Sequence, residues 1–187
     1  MKLFDHRSGL INRKRQRRCT HPMTFPGKDK KEQKIEQLLL ENYNSYYRLA
    51  YSYVHNEADA GDIVQNGAYR AILHSGTLKQ EEYAATWLYR IMLNEIFRFV
   101  KKEQPLSLDE MQAEHGAEDS YENVDLRRAL DAMAREDKAV IELKYFEDMK
   151  LTEIAEVLNE NVNTVKSRLY RGLKKLRLEL SDTWQFE

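Results

Sequence analysis

Residues 151–176 read LTEIAEVLNENVNTVKSRLYRGLKKL, and this stretch contains two short helical patterns on either side of a polar break. In each pattern, apolar residues recur about once per turn, which marks one face of an α-helix. In the break, Asn159 can adopt the left-handed conformation that ends a helix, and Asn161 can cap the next helix through the amide of Thr164. Two helices joined by so short a turn predict a helix-turn-helix. The apolar positions are Leu151, Ile154, Ala155, Leu158, Val162, Val165, Leu169, Leu173 and Leu176.

The polar face of the second helix is strongly basic. Between positions 166 and 177 there are six Lys or Arg residues and no acidic one, whereas the first helix carries Glu153 and Glu156. On a helix in the major groove, basic side chains neutralise phosphates, and polar residues near the N-terminus reach base edges. A solvated basic helix without a ligand is the alternative, but turn spacing, core spacing and charge placement together favour DNA. The candidate DNA-binding residues are Asn163, Lys166, Ser167, Arg168, Tyr170, Arg171, Lys174 and Lys175.

Charge is distributed unevenly along the chain, although the formal net charge of the 187 residues is only −1. Residues 1–34 hold 11 Lys or Arg against 3 Asp or Glu, and the remainder is acidic. The segment 103–125 holds eight acidic residues and no Lys or Arg. This segregation is typical of a protein with separate surfaces for separate partners.

Composition predicts an all-α protein of the cytoplasm. Only three prolines and seven glycines interrupt the chain, and the alternation typical of strands is not seen. Cys19 is the only cysteine, so no intramolecular disulfide can form and a reducing compartment is expected. No apolar run approaches the roughly 20 residues that span a bilayer, and the basic N-terminus lacks the apolar stretch of a secretory signal.

Helical periodicity divides the chain into two small domains. Residues 1–30 indicate a disordered basic extension, which is either a nucleic-acid arm, an over-extended translation start or a poorly ordered tail. Residues 31–102 predict a three-to-four-helix bundle, and 124–181 predict a four-helix domain containing the helix-turn-helix. A flexible acidic linker, 103–123, joins them. The predicted helices before the helix-turn-helix cover about 31–54, 58–74, 82–102, 124–135 and 137–146.

Three segments together resemble a known family of transcription proteins. They are YRLAYSYVHNEADAGDIVQNGAYRAI at 47–72, ATWLYRIMLNEIFRFVKK at 85–102, and residues 137–177, which include the helix-turn-helix. In this order and spacing they resemble the extracytoplasmic-function type of bacterial RNA polymerase sigma factor over about residues 35–180. The resemblance implies, in chain order, core-polymerase binding, promoter melting and recognition of an upstream promoter element. The chain departs from the family pattern at Asn66, Gly67, Asn159 and Glu160.

By this resemblance, the helix at 58–74 docks on the clamp helices of the large polymerase subunit. The residues implied are Asp62, Ile63, Val64 and Gln65. Such an interface between helices combines apolar anchors with a polar rim. The alternative is that Ile63 or Val64 belongs to the core of the bundle.

The resemblance assigns promoter melting to the helix at 82–102 and the loop before it. A base that leaves the duplex stack is held by aromatic stacking and by polar contacts to its edge. Tyr83 lies in the loop that forms the pocket for this base in the family, and Asn94 matches a base-contacting position. For Trp87, the alternative to a contact with DNA is a position in the hydrophobic core. The candidates for contact with the melted, single-stranded element are Tyr83, Tyr89, Arg90, Asn94 and Arg98.

Four candidate residues form one stripe of the helix that reads the upstream duplex. Within it, Arg171 could donate two hydrogen bonds to a guanine, so Arg171→Ala is expected to relax the preference at one base pair. Lys174 and Lys175 are expected to contact phosphate, so Lys175→Ala should weaken binding to all promoters alike. The stripe comprises Lys166, Ser167, Tyr170 and Arg171.

Two main hypotheses for function follow. The first is a dissociable sigma factor that binds core RNA polymerase and promoter DNA, with a membrane-bound anti-sigma factor as its regulator in an envelope or stress response. The second is a stand-alone helix-turn-helix regulator with an N-terminal dimerisation or signal-receiving bundle. A regulator should bind duplex DNA specifically without polymerase, whereas a sigma factor should bind weakly until assembled. A decoy that sequesters a regulator without reading DNA is a third possibility.

Sequence motifs of enzymes were not found. The five histidines are scattered without the HExxH or CxxC spacing of metal sites, and neither a GxxxxGK phosphate loop nor a GxSxG elbow occurs. We therefore expect no catalytic residue, metal, cofactor or small-molecule substrate. Catalysis in transcription would then belong to the polymerase.

Overall fold

The computed structural model describes residues 30–103 and 121–183, which form eight α-helices and contain no strand. The predicted all-α class is therefore confirmed. The basic extension and most of the acidic linker lie outside the described residues. No described helix is long and apolar enough to cross a membrane. The helices are α1 Lys30–Glu41, α2 Tyr43–Val54, α3 Glu57–Leu73, α4 Ala84–Glu103, α5 Tyr121–Asp131, α6 Arg135–Tyr145, α7 Leu151–Leu158 and α8 Val162–Thr183.

The long helical pattern at 31–54 is two helices rather than one. The backbone leaves helical geometry at Asn42, whose side-chain amide donates to the carbonyl of Leu38 at 2.9 Å. The next helix, α2, ends at His55, which is left-handed with a φ of 51°. Asn56 then caps α3, because its side-chain oxygen accepts from the amides of Ala58 and Asp59. The polar break expected near residue 55 is therefore a joint between two helices.

The first four helices form a bundle around α4, which packs against α1, α2 and α3. Leu88, Met92 and Ile96 of α4 are fully or almost fully buried, which agrees with the prediction of a central helix. Gly67 lies where α3 approaches α4, and a Cβ at this position would overlap the Sδ of Met92. This close approach gives a packing reason for a glycine in the middle of a helix.

The last four helices form the second domain, in which α7 and α8 are the helix-turn-helix. Asn159 is left-handed, with φ 55° and ψ 44°, and ends α7. The side-chain oxygen of Asn161 accepts from the amide of Thr164 at 2.8 Å. The two predicted features of the turn, the left-handed Asn159 and the cap by Asn161, are therefore confirmed. Ile154 and Val165, which are fully buried, pack within the core of this unit.

The two domains also pack against each other, a feature that the sequence did not predict. One cluster of buried apolar residues extends from Ile35 in α1 to Val165 in α8. The cluster includes residues of α4, and α4 contacts α7 of the second domain. A second, smaller cluster joins Leu130, Met133 and Ile141 on the far side of α6. The hydrophobic core is therefore continuous across the domain boundary.

Candidate nucleic-acid and polymerase interfaces

One face of α8 is exposed along its N-terminal half. The exposed side chains follow the spacing i, i+3, i+4, i+7, i+11, so they lie on one side of the helix. Tyr170 is 72% exposed, in contrast to Val165 on the opposite side, which is fully buried. This face carries polar, aromatic and cationic groups together, as a duplex-reading surface requires. Its members are Asn163, Lys166, Ser167, Tyr170 and Lys174.

Arg168 belongs to the interior of the second domain rather than to this face. Its guanidinium donates two hydrogen bonds to the carboxylate of Glu160, at 2.8 and 2.7 Å. It donates a third to Asp137 in α6, at 2.9 Å. These carboxylates raise the pKa of Arg168, with the bond to Glu160 as the largest cause. Arg168 is therefore engaged with Glu160 and Asp137 in this structure, and its contact with DNA stays a prediction.

Glu160 is one of the positions at which the chain departs from the family pattern, which usually has an apolar residue here. In the structure its carboxylate binds Arg168, eight residues later in the chain. An ion pair thus replaces the apolar contact across the turn. No sequence rule for helix-turn-helix motifs would have indicated this pairing.

Arg171 and Lys175 are also engaged within the protein. Arg171 Nε donates to Asp137 Oδ2 at 2.6 Å, and Arg171 Nη2 donates to Asp137 Oδ1 at 2.7 Å. The hydrogen bond from Arg171 is the largest cause of a lowered pKa at Asp137. Lys175 donates to the backbone carbonyl of Ala132. Two of the five N–H groups of Arg171 therefore bind Asp137 in this structure, and its side chain is largely exposed.

The candidates for the melted element lie on α4 and the turn before it. Arg90, Asn94 and Arg98 are exposed and are spaced four residues apart, so they share one side of α4. Tyr83 is 47% exposed in the 3₁₀ turn at Glu81–Tyr83. Trp87 is half-buried and packs against the core, as its alternative interpretation proposed.

Two members of this set have protein partners. Tyr89 is buried, its ring packs edge-on against Tyr46 at 5.0 Å, and its hydroxyl donates to Glu147 of the second domain. Burial is the largest cause that raises the pKa of Tyr89, so the phenol stays protonated as a donor. Tyr89 is therefore covered in this structure, and its contact with single-stranded DNA stays a prediction. Arg98 is exposed but donates to Glu95 at 3.0 Å.

The polymerase-binding candidates are divided by burial. Asp62 and Gln65 are exposed on α3, whereas Ile63 and Val64 are buried in the bundle core. Ile63 and Val64 are therefore core residues in this structure, which agrees with the alternative given in the sequence analysis. The reason is the helical period, which turns these two side chains toward α4 when Asp62 and Gln65 face outward.

Three other residues of α3 give the exposed side of this helix an apolar surface. Tyr69, Ile72 and Leu73 are exposed one and two turns after Gln65, in line with Asp62. Sequence reasoning missed them, although their spacing from Asp62 was a readable signal. We call the surface of Asp62, Gln65, Tyr69, Ile72 and Leu73 the α3 face. Within the described residues, no group of three or more His, Cys, Asp or Glu side chains could hold a metal ion.

Comparison with known proteins identifies the class. A model of sigma-70 region 2 matches residues 38–105, and a model of sigma-70 region 4 matches 123–176. The RNA polymerase sigma factor SigV of Bacillus subtilis is 40% identical over 81% of this chain and 96% of its own length. The chain therefore belongs to the sigma-70 family of RNA polymerase sigma factors.

Further comparisons agree with the extracytoplasmic-function type. The ECF RNA polymerase sigma factor SigW of Bacillus subtilis is 32% identical over 73% of this chain and 83% of its own length. The fold is similar to that of the sigma factor RpoE of Bartonella quintana, solved with the anti-sigma factor NepR, with a TM-score of 0.66. That likeness has 22% identity and covers 78% of this chain and 96% of the other. The part of the first hypothesis that makes this chain an extracytoplasmic-function sigma factor is confirmed, whereas the membrane-bound regulator and the envelope or stress response stay predictions.

Proposed function

We propose that the α3 face is the surface by which this sigma factor docks on the clamp helices of the large polymerase subunit. The observation that carries the proposal is the exposure of Tyr69, Ile72 and Leu73 beside Asp62 and Gln65. Apolar anchors surrounded by polar groups are the usual composition of a protein interface. A row of exposed apolar side chains along a helix is unfavourable in water unless a partner covers it, so such a row marks an interaction site.

The two DNA-reading surfaces have separate tasks. The exposed face of α8 enters the major groove of the upstream element, where Asn163, Lys166, Ser167 and Tyr170 reach base edges. Tyr83 and the side of α4 with Arg90 and Asn94 hold the non-template strand after melting, through stacking and contacts to phosphates and base edges. The polymerase catalyses RNA synthesis, and this chain directs the polymerase to its promoters.

The regulator we propose is a membrane-bound anti-sigma factor that holds the chain in the cytoplasm until an envelope or stress signal releases it. The similar structure from Bartonella quintana, in which a sigma factor is in complex with an anti-sigma factor, supports an anti-sigma factor as the partner. We further propose that residues 31–102 and 124–181 are the functional domains, with 103–123 as the linker that lets them separate on the polymerase.

The experiment that tests the function is in-vitro transcription. Purified chain and core polymerase of Bacillus subtilis are incubated with a library of genomic promoters from the source organism. We expect a small set of promoters to be transcribed only when both proteins are present. Specific binding of the chain alone to duplex DNA, with no transcription after core polymerase is added, would instead favour the stand-alone regulator.

A further inference from the structure

The carboxylate of Asp137 binds one particular edge of the Arg171 guanidinium. Asp137 Oδ2 accepts from Arg171 Nε at 2.6 Å, and Asp137 Oδ1 accepts from Arg171 Nη2 at 2.7 Å. A guanidinium is planar, and its N–H groups point outward in a fixed fork. The Nε and Nη2 groups form its side edge, whereas Nη1 and the second hydrogen of Nη2 form its end edge. The contact with Asp137 therefore uses the side edge and leaves the end edge for another acceptor.

The shape of this end edge matches one base of DNA. It presents two parallel N–H groups, which fit the O6 and N7 acceptors of a guanine in the major groove. Adenine presents a donor where guanine presents O6, so the same edge would be repelled by adenine. A two-point contact requires the guanidinium plane to be held in one orientation, and a long arginine side chain without a partner samples many. A fixed carboxylate on the side edge supplies that orientation.

Asp137 is itself held in place. It is only 5% exposed and lies in the first turn of α6, where the helix dipole favours a negative charge. Arg168 donates to Asp137 Oδ1 at 2.9 Å, and Glu160 binds Arg168 from the turn. The hydrogen bond from Arg171 is the largest cause that lowers the pKa of Asp137, so the carboxyl is ionised at neutral pH. Asp137 is therefore a fixed anion rather than a mobile side chain of the surface.

Arg171 borders the exposed face of α8, which we call the reading face. It follows Ser167 by four residues and precedes Lys174 by three, and both of these are exposed members of that face. The Arg171 side chain is 61% exposed although it is paired with Asp137. The paired guanidinium therefore stays accessible from the side that would meet DNA.

We propose that Asp137 is a positioning residue for base readout, because it holds the guanidinium of Arg171 so that the end edge faces a guanine of the upstream promoter element. The inference rests on the proposed function, in which α8 enters the major groove. Asp137 touches no base and acts through Arg171. The two residues therefore read DNA as one unit, built from two helices that lie far apart in the sequence.

The test measures base preference along the upstream element. Core polymerase of Bacillus subtilis and the full chain transcribe variants of one active promoter, in which each upstream base pair is changed in turn to the other three. The ratio of yields between two bases gives the preference at that position. The parent chain is compared with Arg171→Ala, Asp137→Asn and the double variant, and circular dichroism verifies that each is folded.

The expected result is a change at a single base pair. The parent should prefer guanine there by about 5- to 150-fold, the range of one two-point contact. Arg171→Ala should remove this preference. Asp137→Asn should lower it about 2- to 12-fold, the cost of ordering one free side chain, because an amide accepts on one side only. The double variant should match Arg171→Ala, since Asp137 acts only through Arg171.

Two further variants separate positioning from stability. Glu160→Gln removes a carboxylate from Arg168 but leaves the pair of Asp137 and Arg171 in place, so it should keep the guanine preference of the parent. Asp137→Ser keeps a single acceptor without an amide group and should lower the guanine preference as Asp137→Asn does. It provides the same measurement where Asp137→Asn fails to fold.

The outcomes separate the inference from the proposed function. A guanine preference that is equal in the parent and in the Asp137 variants would overturn the positioning role, and so would a loss that is equal at all base pairs. If Arg171→Ala lowered the yield equally with every base, the base contact itself would be excluded. In these cases promoter-dependent transcription by the parent would still support the function, whereas its absence would overturn both.

Discussion

Asp137 and Arg171, which are 34 residues apart in the sequence, form a two-point ion pair between α6 and α8, with N–O distances of 2.6 and 2.7 Å. Asp137 also accepts from Arg168, which in turn holds Glu160 in the turn. The recognition helix is thus fixed to α6 and to its own turn by one connected set of charges. Of the cations predicted to meet DNA, Lys166 and Lys174 are exposed on the reading face.

The first prediction concerns Asp137 and stability. At pH 7, Asp137→Asn should lower the free energy of unfolding by about 1–3 kcal/mol. The reason is that the guanidinium groups of Arg168 and Arg171 would lose a negatively charged hydrogen-bond acceptor. The guanidinium of Arg171, followed by that of Arg168, lowers the pKa of this carboxyl in the folded chain. Urea titrations of parent and variant measure the difference.

The pH dependence of this difference follows from the sign of the pKa change. A carboxyl with a lower pKa in the folded chain stabilises it at pH values above the unfolded pKa of about 3.9. The contribution is lost as the pH falls from there through the folded pKa. The gap between parent and Asp137→Asn should therefore shrink in acid. The exposed Asp62 provides the control variant Asp62→Asn, and a gap that stayed constant in acid would contradict the assignment.

The second prediction compares two adjacent lysines. Lys174 is exposed, whereas Lys175 donates to the carbonyl of Ala132. Lys174→Ala should reduce the slope of log K against log salt by about 0.9, the value of one phosphate contact. Lys175→Ala should change the slope much less, in contrast to the prediction from sequence. Holoenzyme binding to promoter DNA over a range of KCl concentrations measures both, and equal slopes for the two variants would count against the distinction.

The third prediction concerns the α3 face. Tyr69→Ala and Leu73→Ala should each weaken binding to core polymerase about 5- to 30-fold, as expected for anchor residues worth 1–2 kcal/mol. Since both side chains are exposed, the free energy of unfolding should change by less than about 0.5 kcal/mol. Leu40→Ala is the control, because Leu40 is equally apolar and is exposed on α1. Binding that falls equally in the control would mean that general surface hydrophobicity, rather than this face, is responsible.

The fourth prediction compares two glycines of α3. Gly67→Ala should lower stability by about 1–2 kcal/mol, because strain against Met92 exceeds the gain in helix propensity. Gly61→Ala should raise stability by up to about 1 kcal/mol, because a Cβ at Gly61 meets no atom within 4 Å. Thermal unfolding measures both. The double variant Gly67→Ala with Met92→Ala should lose less than the sum of the single losses, and simple additivity would exclude the contact as the cause.

The helix-turn-helix could be predicted from the sequence almost completely. Its turn depends on Asn159 and Asn161, whose contacts are with residues at most four positions away. Such local interactions depend on backbone preferences and capping, and both can be predicted from a short stretch of sequence. The same holds for the all-α class and for the exposed stripe of α8, both of which follow from the helical period.

Helix periodicity was insufficient to predict the buried side of a helix that has apolar residues on two sides. In α3, Ile63 and Val64 face the bundle, and Tyr69 and Leu73 face outward. A pattern of apolar residues indicates that a buried side exists, but packing against α4 decides which side it is. For this reason the sequence predicted the helix itself, and the structure was needed to show which of its apolar side chains are exposed.

The sequence by itself determined the all-α class, the helix-turn-helix and the family, because each depends on neighbouring residues or on their order along the chain. Only the tertiary structure decided which charged and aromatic groups remain available to DNA. Asp137 binds two N–H groups of Arg171, and Glu147 covers Tyr89 from 58 residues away. The physical reason is that an ion pair or a hydrogen bond forms between groups a few ångströms apart in space, and separation along the chain does not specify that distance.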